Sequence, residues 1–122
     1  MNDNRRELID TADALWRDII AYTFLHRCIL CGTTGCDAHH WRFKRSILEH
    51  RWHVSNGVYM CRPHHNLVVQ DNGRHLAEVI KSKYPLLRQW GEEVIAGQPR
   101  PISTSEISDT VAWLQQAMDA MW

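Results

Sequence analysis

The sequence predicts a small α+β protein in which helices at both ends enclose a short β segment rich in cysteine and histidine. Apolar residues recur at helical spacing near both termini. All four cysteines and seven of the eight histidines lie between Arg27 and His75. At 122 residues the chain has the length of one ordinary domain. We expect a single domain, 1–122, with three parts: an N-terminal helix over 1–26, a central module over 27–72 and a helical part over 73–122.

Composition narrows the class of protein. A hydrophobic fraction of 44% with 23% charged residues is typical of a soluble globular chain and argues against disorder. No apolar run approaches the roughly 18 residues needed to span a bilayer, and the first residues do not resemble a secretory signal. The sequence therefore predicts a cytoplasmic protein with no membrane contact.

The charge of the chain is unevenly distributed, although 14 basic and 14 acidic residues give a net charge of zero. The segment from Arg27 to His75 contains seven basic and three acidic residues, so it carries +4, and the flanks carry −4. A polyanionic partner would therefore bind the middle segment, while the acidic flanks form a scaffold.

The first element is a helix predicted from Asn4 to His26, and the next is a hairpin. Asn56-Gly57 lies between short β-prone runs, which is a strong signal for a two-residue hairpin turn. The apolar positions that define the helix face are Leu8, Ile9, Ala12, Leu15, Trp16, Ile19, Ile20 and Phe24, and those that flank the turn are Trp52, Val54, Val58 and Met60.

The remaining elements are helices separated by proline and glycine. A short helix is predicted to begin near Pro63 and to stop at Asp71-Asn72-Gly73. Two more, Leu76 to Tyr84 and Leu86 to Ile95, are divided by Pro85. The loop and final helix follow from Gly97 to Pro101, the capping box Ser103 to Glu106, and an apolar face of Ile107, Val111, Leu114 and Met118.

Two ligand pairs with three-residue spacing predict a zinc site. Cys28 and Cys31 form a Cys-x-x-Cys pair followed by glycine, and Cys61 and His64 offer a second pair. Together they make a Cys3His set, which is typical of structural zinc. Disulfides would compete, but a reducing compartment disfavours them. A redox Cys-x-x-Cys lacks the strand–helix context that it needs, and Cys36 with His39 could replace one pair, although we expect Cys36 to be a spare thiol.

The order of the cysteines, histidines and asparagine in the middle segment resembles the HNH endonuclease family. The resemblance covers Cys28 to Asn66, about a third of the chain, and depends on the nesting of the motifs rather than on any one of them. It implies a zinc-stabilised ββα-metal core, flanked here by N-terminal and C-terminal helices, of the kind found in phages and mobile elements. It also implies DNA hydrolysis that leaves 5′-phosphate and 3′-hydroxyl ends. The residues that carry it are Cys28, Cys31, His39, His40, Asn56, Cys61, His64, His65 and Asn66.

The resemblance assigns a role to each position. It makes His40 the general base, His39 and His65 ligands of a catalytic divalent ion, and Asn56 a residue that orients the base or approaches the metal. Two positions depart from the family pattern. His64 stands where relatives with paired knuckles have cysteine, and Val69 stands where some relatives place a further histidine. An ion with few protein ligands keeps several waters, which favours Mg²⁺ or Mn²⁺.

The basic stretch Trp41 to Arg45 is the candidate nucleic-acid contact. Arg42, Lys44 and Arg45 alternate with two aromatic side chains, which suits phosphate contacts and stacking on bases. An amphipathic strand with its aromatic side chains turned inward explains the pattern equally well.

The function predicted from these features is a metal-dependent HNH-type endonuclease that nicks or cuts DNA. The alternative is a non-catalytic zinc module that binds nucleic acid or a partner protein, and RNA as the substrate uses the same residues. The flanking helices would supply the surface for a homodimer or a protein partner.

Overall fold

The computed structural model describes residues 3–94 and 100–121, and these residues form an α+β fold, as predicted. Its sheet has two antiparallel strands. No helix within the described ranges is long and apolar enough to cross a bilayer. The elements in chain order are α1 Asp3–Thr23, β1 Asp37–His40, α2 Leu48–Arg51, a 3-10 turn Val54–Asn56, β2 Gly57–Met60, α3 Arg62–Asp71, α4 Arg74–Lys83, α5 Pro85–Glu93 and α6 Thr104–Ala120.

The larger hydrophobic core lies between α1 and α6. Its buried residues are Ile9, Ala12, Trp16, Ile19, Ile20, Trp52, Ile107, Leu114 and Met118.

The predicted capping box is confirmed, because the Ser103 hydroxyl accepts from the Glu106 backbone N–H and the Glu106 carboxylate accepts from the Ser103 backbone N–H. Helix α1 ends three residues earlier than predicted, because Leu25 and His26 adopt positive φ angles in a turn.

The predicted Asn-Gly hairpin is wrong. Gly57 has an extended φ of −118° and begins β2, while Trp52 and Val54 belong to no strand. Strand β2 pairs instead with β1, and a long connection, residues 41–56, joins the two strands. The hairpin signal fails because the Asn56 side chain bonds to the backbone of this connection rather than shaping a tight turn.

The predicted short helix is confirmed as α3, with proline in its first turn and a left-handed Asn72 at its end. Helices α4 and α5 follow, and Tyr84, the residue before Pro85, separates them, as the proline predicted. Helix α4 begins two residues earlier than predicted, and Ile95 and positions 97–99 of the predicted loop lie outside the described residues. Helix α3 buries none of its residues. A second apolar cluster joins β2 to α4 through Val58, Met60, Leu76 and Ile80, and the partly buried Val68 of α3 packs against it.

Candidate metal centre and histidine cluster

The structure brings together Cys28, Cys31, Cys61 and His64, and we call this group the Cys3His cluster. Their ligand atoms all lie within 4.8 Å of one another. The Cys31 and Cys61 sulfurs are 3.7 Å apart, and the Cys28 sulfur is 3.7 Å from His64 Nδ1. A tetrahedron with Zn–S bonds near 2.3 Å has edges of about 3.8 Å, so the spacing fits zinc. The cluster can therefore hold a metal ion such as zinc.

Local backbone geometry explains how two distant pairs converge. The Gly32 N–H bonds to the Cys28 carbonyl, and the positive φ of Gly32 closes a turn that aims both thiols to one side. The Ile29 N–H donates to the Tyr59 carbonyl of β2, which ties this turn to the sheet. Because Cys61 is the residue after β2 and caps α3, the second pair arrives at the same place.

One thiol of the cluster, Cys31, has a lowered pKa, which favours the thiolate that a metal ion binds. Hydrogen bonds from the hydroxyl and the backbone N–H of Thr33 lower the pKa of Cys31 to about 6. The Cys36 thiol stands apart from the cluster and donates to the Thr33 carbonyl, and burial raises its pKa. All four cysteines are free thiols, so the disulfide alternative is not observed. Cys36 replaces none of the four ligands.

His39 and His65 face each other across β1 and α3, with ring centroids 4.7 Å apart. Burial, together with the neighbouring His65 and His40, lowers the pKa of His39 to about 4. His39 is therefore neutral at pH 7, which a metal ligand requires. A cavity of about 320 Å³ opens beside His65 and is also lined by Asp37, Arg62 and Asn66.

His40, the next residue of β1, is held by two contacts of a different kind. Its Nε2 lies 2.9 Å from the backbone carbonyl of Arg51, and its ring stacks on Trp16. Because a carbonyl oxygen can only accept, Nε2 must carry the hydrogen, and the neutral ring keeps its lone pair on Nδ1. No described residue hydrogen-bonds that Nδ1 atom. Burial lowers the pKa of His40, so the ring is a neutral acceptor at pH 7.

Asn56 is fully buried and binds backbone groups only. Its Oδ1 accepts from the N–H groups of Arg42 and Phe43, and its Nδ2 donates to the carbonyls of Phe43 and His50. The side chain therefore holds the connection between the strands in shape. The two roles that the resemblance gives Asn56, orienting the base or approaching the metal, stay predictions.

The basic stretch is only partly available for a partner. Lys44 is exposed, and the Arg45 side chain is 70% exposed although its guanidinium lies 3.5 Å from Asp13. Arg42 instead donates to the Gly91 carbonyl of α5 and lies over the Phe43 ring. Phe43 is buried, and Trp41 Nε1 donates to the Ser55 carbonyl. The aromatic side chains thus face the protein, although they lie in no strand.

The sequence did not point to Asp13 and Arg51, which form a buried ion pair. Arg51 Nε and Nη2 contact the two Asp13 oxygens at 3.0 and 2.7 Å, and Trp52 Nε1 donates to Asp13 at 2.8 Å. The signal that could have found them is a carboxylate inside the apolar stripe of α1, between Ala12 and Trp16. Helical spacing places Asp13 on the buried face, where a charge needs a partner.

A larger cavity of about 550 Å³ lies between α6 and the segment that includes Trp52 and His53, and it is not lined by His39, His40 or His65. Within residues 3–94 and 100–121, the Cys3His cluster is the one group of three or more metal-binding side chains that converges.

Comparison with family models, curated proteins and solved structures gives no match to this chain. The function must therefore be argued from the site itself.

Proposed function

We propose that this protein is a metal-dependent endonuclease of the HNH type that hydrolyses phosphodiester bonds in DNA. The observation that carries the proposal is the state of His40, a neutral imidazole with Nε2–H fixed on the Arg51 carbonyl and Nδ1 unbonded within the described residues. The next residue, His39, faces His65 on α3. A proton acceptor beside a pair of metal-competent imidazoles is what phosphodiester hydrolysis needs.

In this proposal His40 Nδ1 takes the proton from the attacking water. The imidazolium that forms keeps its Nε2–H bond to the Arg51 carbonyl, so the ring does not have to turn during the step. Asn56 fixes the connection that contains Arg51, which places the carbonyl without touching the substrate. A positioned base contributes roughly 100- to 10,000-fold in rate.

His39 and His65 would hold the catalytic Mg²⁺ or Mn²⁺, and the Cys3His cluster would hold a structural zinc. The catalytic ion, when bound, supplies positive charge against the negative charge that develops on the phosphate. The order β1, β2, α3 supports this assignment, because it brings His39 and His65 together from opposite sides of one small unit. Asp37 and Arg62 line the adjacent cavity, which has room for a phosphate group and the waters around an ion.

A plasmid-cleavage assay with Mg²⁺ or Mn²⁺ tests the proposal. We expect His40→Ala to lose at least roughly 100-fold in rate while zinc content and DNA affinity stay as in the wild type, because a base acts only on the transition state. We expect His65→Ala to lose occupancy of the catalytic ion, so that part of its activity returns at high Mn²⁺. His75→Ala, an exposed histidine on α4, is the matched control and should cut normally.

The DNA contact has its own test. Lys44 and Arg45 are the exposed cations of the basic stretch, so the double alanine variant should weaken binding to all sequences and flatten its salt dependence. The matched control is the double alanine variant of Lys81 and Lys83, two exposed lysines of α4. An unchanged salt slope in the first variant, or an equal loss in the second, would remove the basic stretch from the proposed interface.

A non-catalytic zinc module that binds nucleic acid or a protein is the second candidate. It is favoured by the small ligand set of the catalytic ion, since Val69 is exposed where a third imidazole would stand. Binding of DNA with no cleavage of DNA or RNA, by any common divalent ion, in both the wild type and His40→Ala, would decide for this candidate. Cleavage of RNA alone would keep the chemistry and change the substrate.

A further inference from the structure

We propose that Asp13 and Trp16 of α1 are positioning residues for His40: Trp16 sets the plane of the imidazole, and Asp13, through Arg51, places the carbonyl that fixes its tautomer. This inference rests on the proposed function, because it concerns the residue to which that proposal gives the role of base. It extends the site to a helix that lies outside the segment resembling HNH endonucleases, and it gives a buried ion pair a role in placing His40.

Trp16 controls the orientation of the His40 ring by direct stacking. The two ring centroids are 4.1 Å apart and the ring planes differ by 6°. Trp16 is itself immobilised, because it is 2% exposed and its Nε1 donates to the His53 carbonyl at 3.0 Å. With one face against a fixed indole, the imidazole can turn only within its own plane.

Rotation within that plane is limited by the hydrogen bond to Arg51. The backbone carbonyl of Arg51 accepts from His40 Nε2 at 2.9 Å. The position of this carbonyl depends on the Arg51 side chain, which lies almost wholly buried against the Asp13 carboxylate in a two-point contact. Trp52 Nε1 adds a third hydrogen bond to the same carboxylate. Asp13 therefore anchors Arg51 and Trp52 together.

The two positioning residues act from one helix. Positions 13 and 16 are neighbours on the face of α1 that points to the sheet, since residues three apart on a helix lie side by side. Asp13 determines where the acceptor for Nε2 lies, and Trp16 determines the plane in which Nε2 and Nδ1 lie. Together they hold the lone pair of Nδ1 in one direction.

A buried ion pair is a costly way to stabilise a core. Replacing such a pair by apolar side chains of similar size is often neutral or stabilising, whereas removing one partner strands the other charge. The Asp13–Arg51 pair also reaches Arg45, whose guanidinium is 3.5 Å from the same carboxylate. The ion pair orients the Arg51 guanidinium, because two charge-assisted hydrogen bonds fix its angle. Apolar side chains of similar size cannot do this.

The first test measures the His40 tautomer by nitrogen NMR near neutral pH and needs no cleavage activity. In the wild type we expect one pyrrole-type signal at Nε2 and one pyridine-type signal at Nδ1. In Asp13→Asn, and in the double variant Asp13→Leu with Arg51→Met, we expect averaging between the two tautomers. The double variant removes the pair without leaving a buried charge, so the measurement survives if Asp13→Asn folds poorly.

The second test separates positioning from general stability. At saturating DNA, Asp13→Asn and Trp16→Leu should cleave roughly 10- to 100-fold more slowly with unchanged KM, because a small misplacement of a reacting group has that cost. Trp16→Phe, which keeps an aromatic face, should recover part of the rate. Leu114→Ala is the matched control, since it truncates the same core from α6 without touching His40. It should lower the free energy of unfolding and leave cleavage by the folded protein unchanged.

The outcomes distinguish the two proposals. A single fixed tautomer in the wild type that is lost in both Asp13 variants supports positioning, even if no nucleic acid is cut, in which case only the proposed function fails. A fixed tautomer that persists in both variants overturns the role of Asp13. A cleavage rate in Trp16→Leu equal to that of Leu114→Ala, in a protein that does cut DNA, overturns the role of Trp16. In a protein that does not cut DNA, His40 nitrogen signals that are the same in Trp16→Leu as in the wild type overturn it.

Discussion

Replacement of Asn56 by alanine should strongly destabilise the protein, and the structure lets the size of the effect be worked out. The side chain makes four hydrogen bonds to backbone groups of the connection between β1 and β2. Two of them, at 2.9 Å each, satisfy the N–H and the C=O of buried Phe43. Alanine leaves both Phe43 groups without a partner.

The cost follows from these two groups. Each buried polar group that loses its partner costs about 1–3 kcal/mol, so Phe43 alone gives about 2–6 kcal/mol. The Arg42 N–H and the His50 carbonyl belong to partly buried contacts, so water can replace part of what they lose. We expect a loss of about 3–4 kcal/mol in the free energy of unfolding, a large share of the 5–15 kcal/mol typical of a domain.

Urea unfolding followed by tryptophan fluorescence measures this loss. Asn66→Ala, at an exposed position of α3, is the matched control and should change stability by less than about 0.5 kcal/mol. Asn56→Asp isolates the donor half of the interaction. It keeps an oxygen that accepts from the Arg42 and Phe43 N–H groups, but an oxygen replaces the Nδ2 donor that faces the Phe43 and His50 carbonyls. A loss below about 1 kcal/mol for Asn56→Ala would refute the reasoning, since a buried peptide group cannot lose its partners at so small a cost.

Three further predictions concern the metal centre, the contact between α1 and the sheet, and acid stability. Elemental analysis should find that Cys28→Ser has lost its metal, and circular dichroism should find that it has lost helical signal. Cys36→Ser should retain both, because Cys36 lies outside the cluster. Thermal unfolding should show Gly57→Ala destabilised by about 1–3 kcal/mol, because the side chains of α1 already occupy the place of a Cβ atom there. Burial raises the pKa of Asp13, but hydrogen bonds from Arg51 and Trp52 outweigh it and hold the pKa below its ordinary value of 3.8. The advantage of the wild type over Asp13→Asn in urea titrations should therefore be full above about pH 4 and shrink as the pH falls through the lower folded value; an advantage that grows in acid would contradict this.

Local patterns in the sequence were sufficient for much of the architecture. The cap at Ser103, the proline at the start of α3 and the left-handed stop at Asn72 are each determined by neighbours within a few residues, so they could be predicted. The two ligand pairs are local in the same sense, because three-residue spacing in a turn brings both members to one side. Their convergence into one cluster required only that the segment between them fold back on itself.

Features that depend on contacts between distant segments were not predictable. The Asn56-Gly57 dipeptide has the composition of a hairpin turn, but the Asn56 amide is used by backbone groups more than ten residues earlier, and those partners leave no trace near it in the sequence. The interaction of Asp13 with Arg51 spans 38 residues. Periodicity marked Trp16 as a core residue, but it could not reveal that one face of the indole is covered by His40.

The exposed position of α3 would couple metal binding at the Cys3His cluster to the geometry of the proposed active site. Leu67 and Val69 are 52% and 65% exposed, no residue of the helix is buried, and the partly buried Val68 packs against the second apolar cluster, so apolar packing holds the helix only at one position. Its first turn contains His64, a member of the Cys3His cluster, and then His65. Part of the free energy that an ion releases on binding the cluster is therefore offset by the cost of restricting the motion of His65. Local opening of α3, rather than global melting, would be the first event when such an ion leaves, and the α1–α6 core would outlast it.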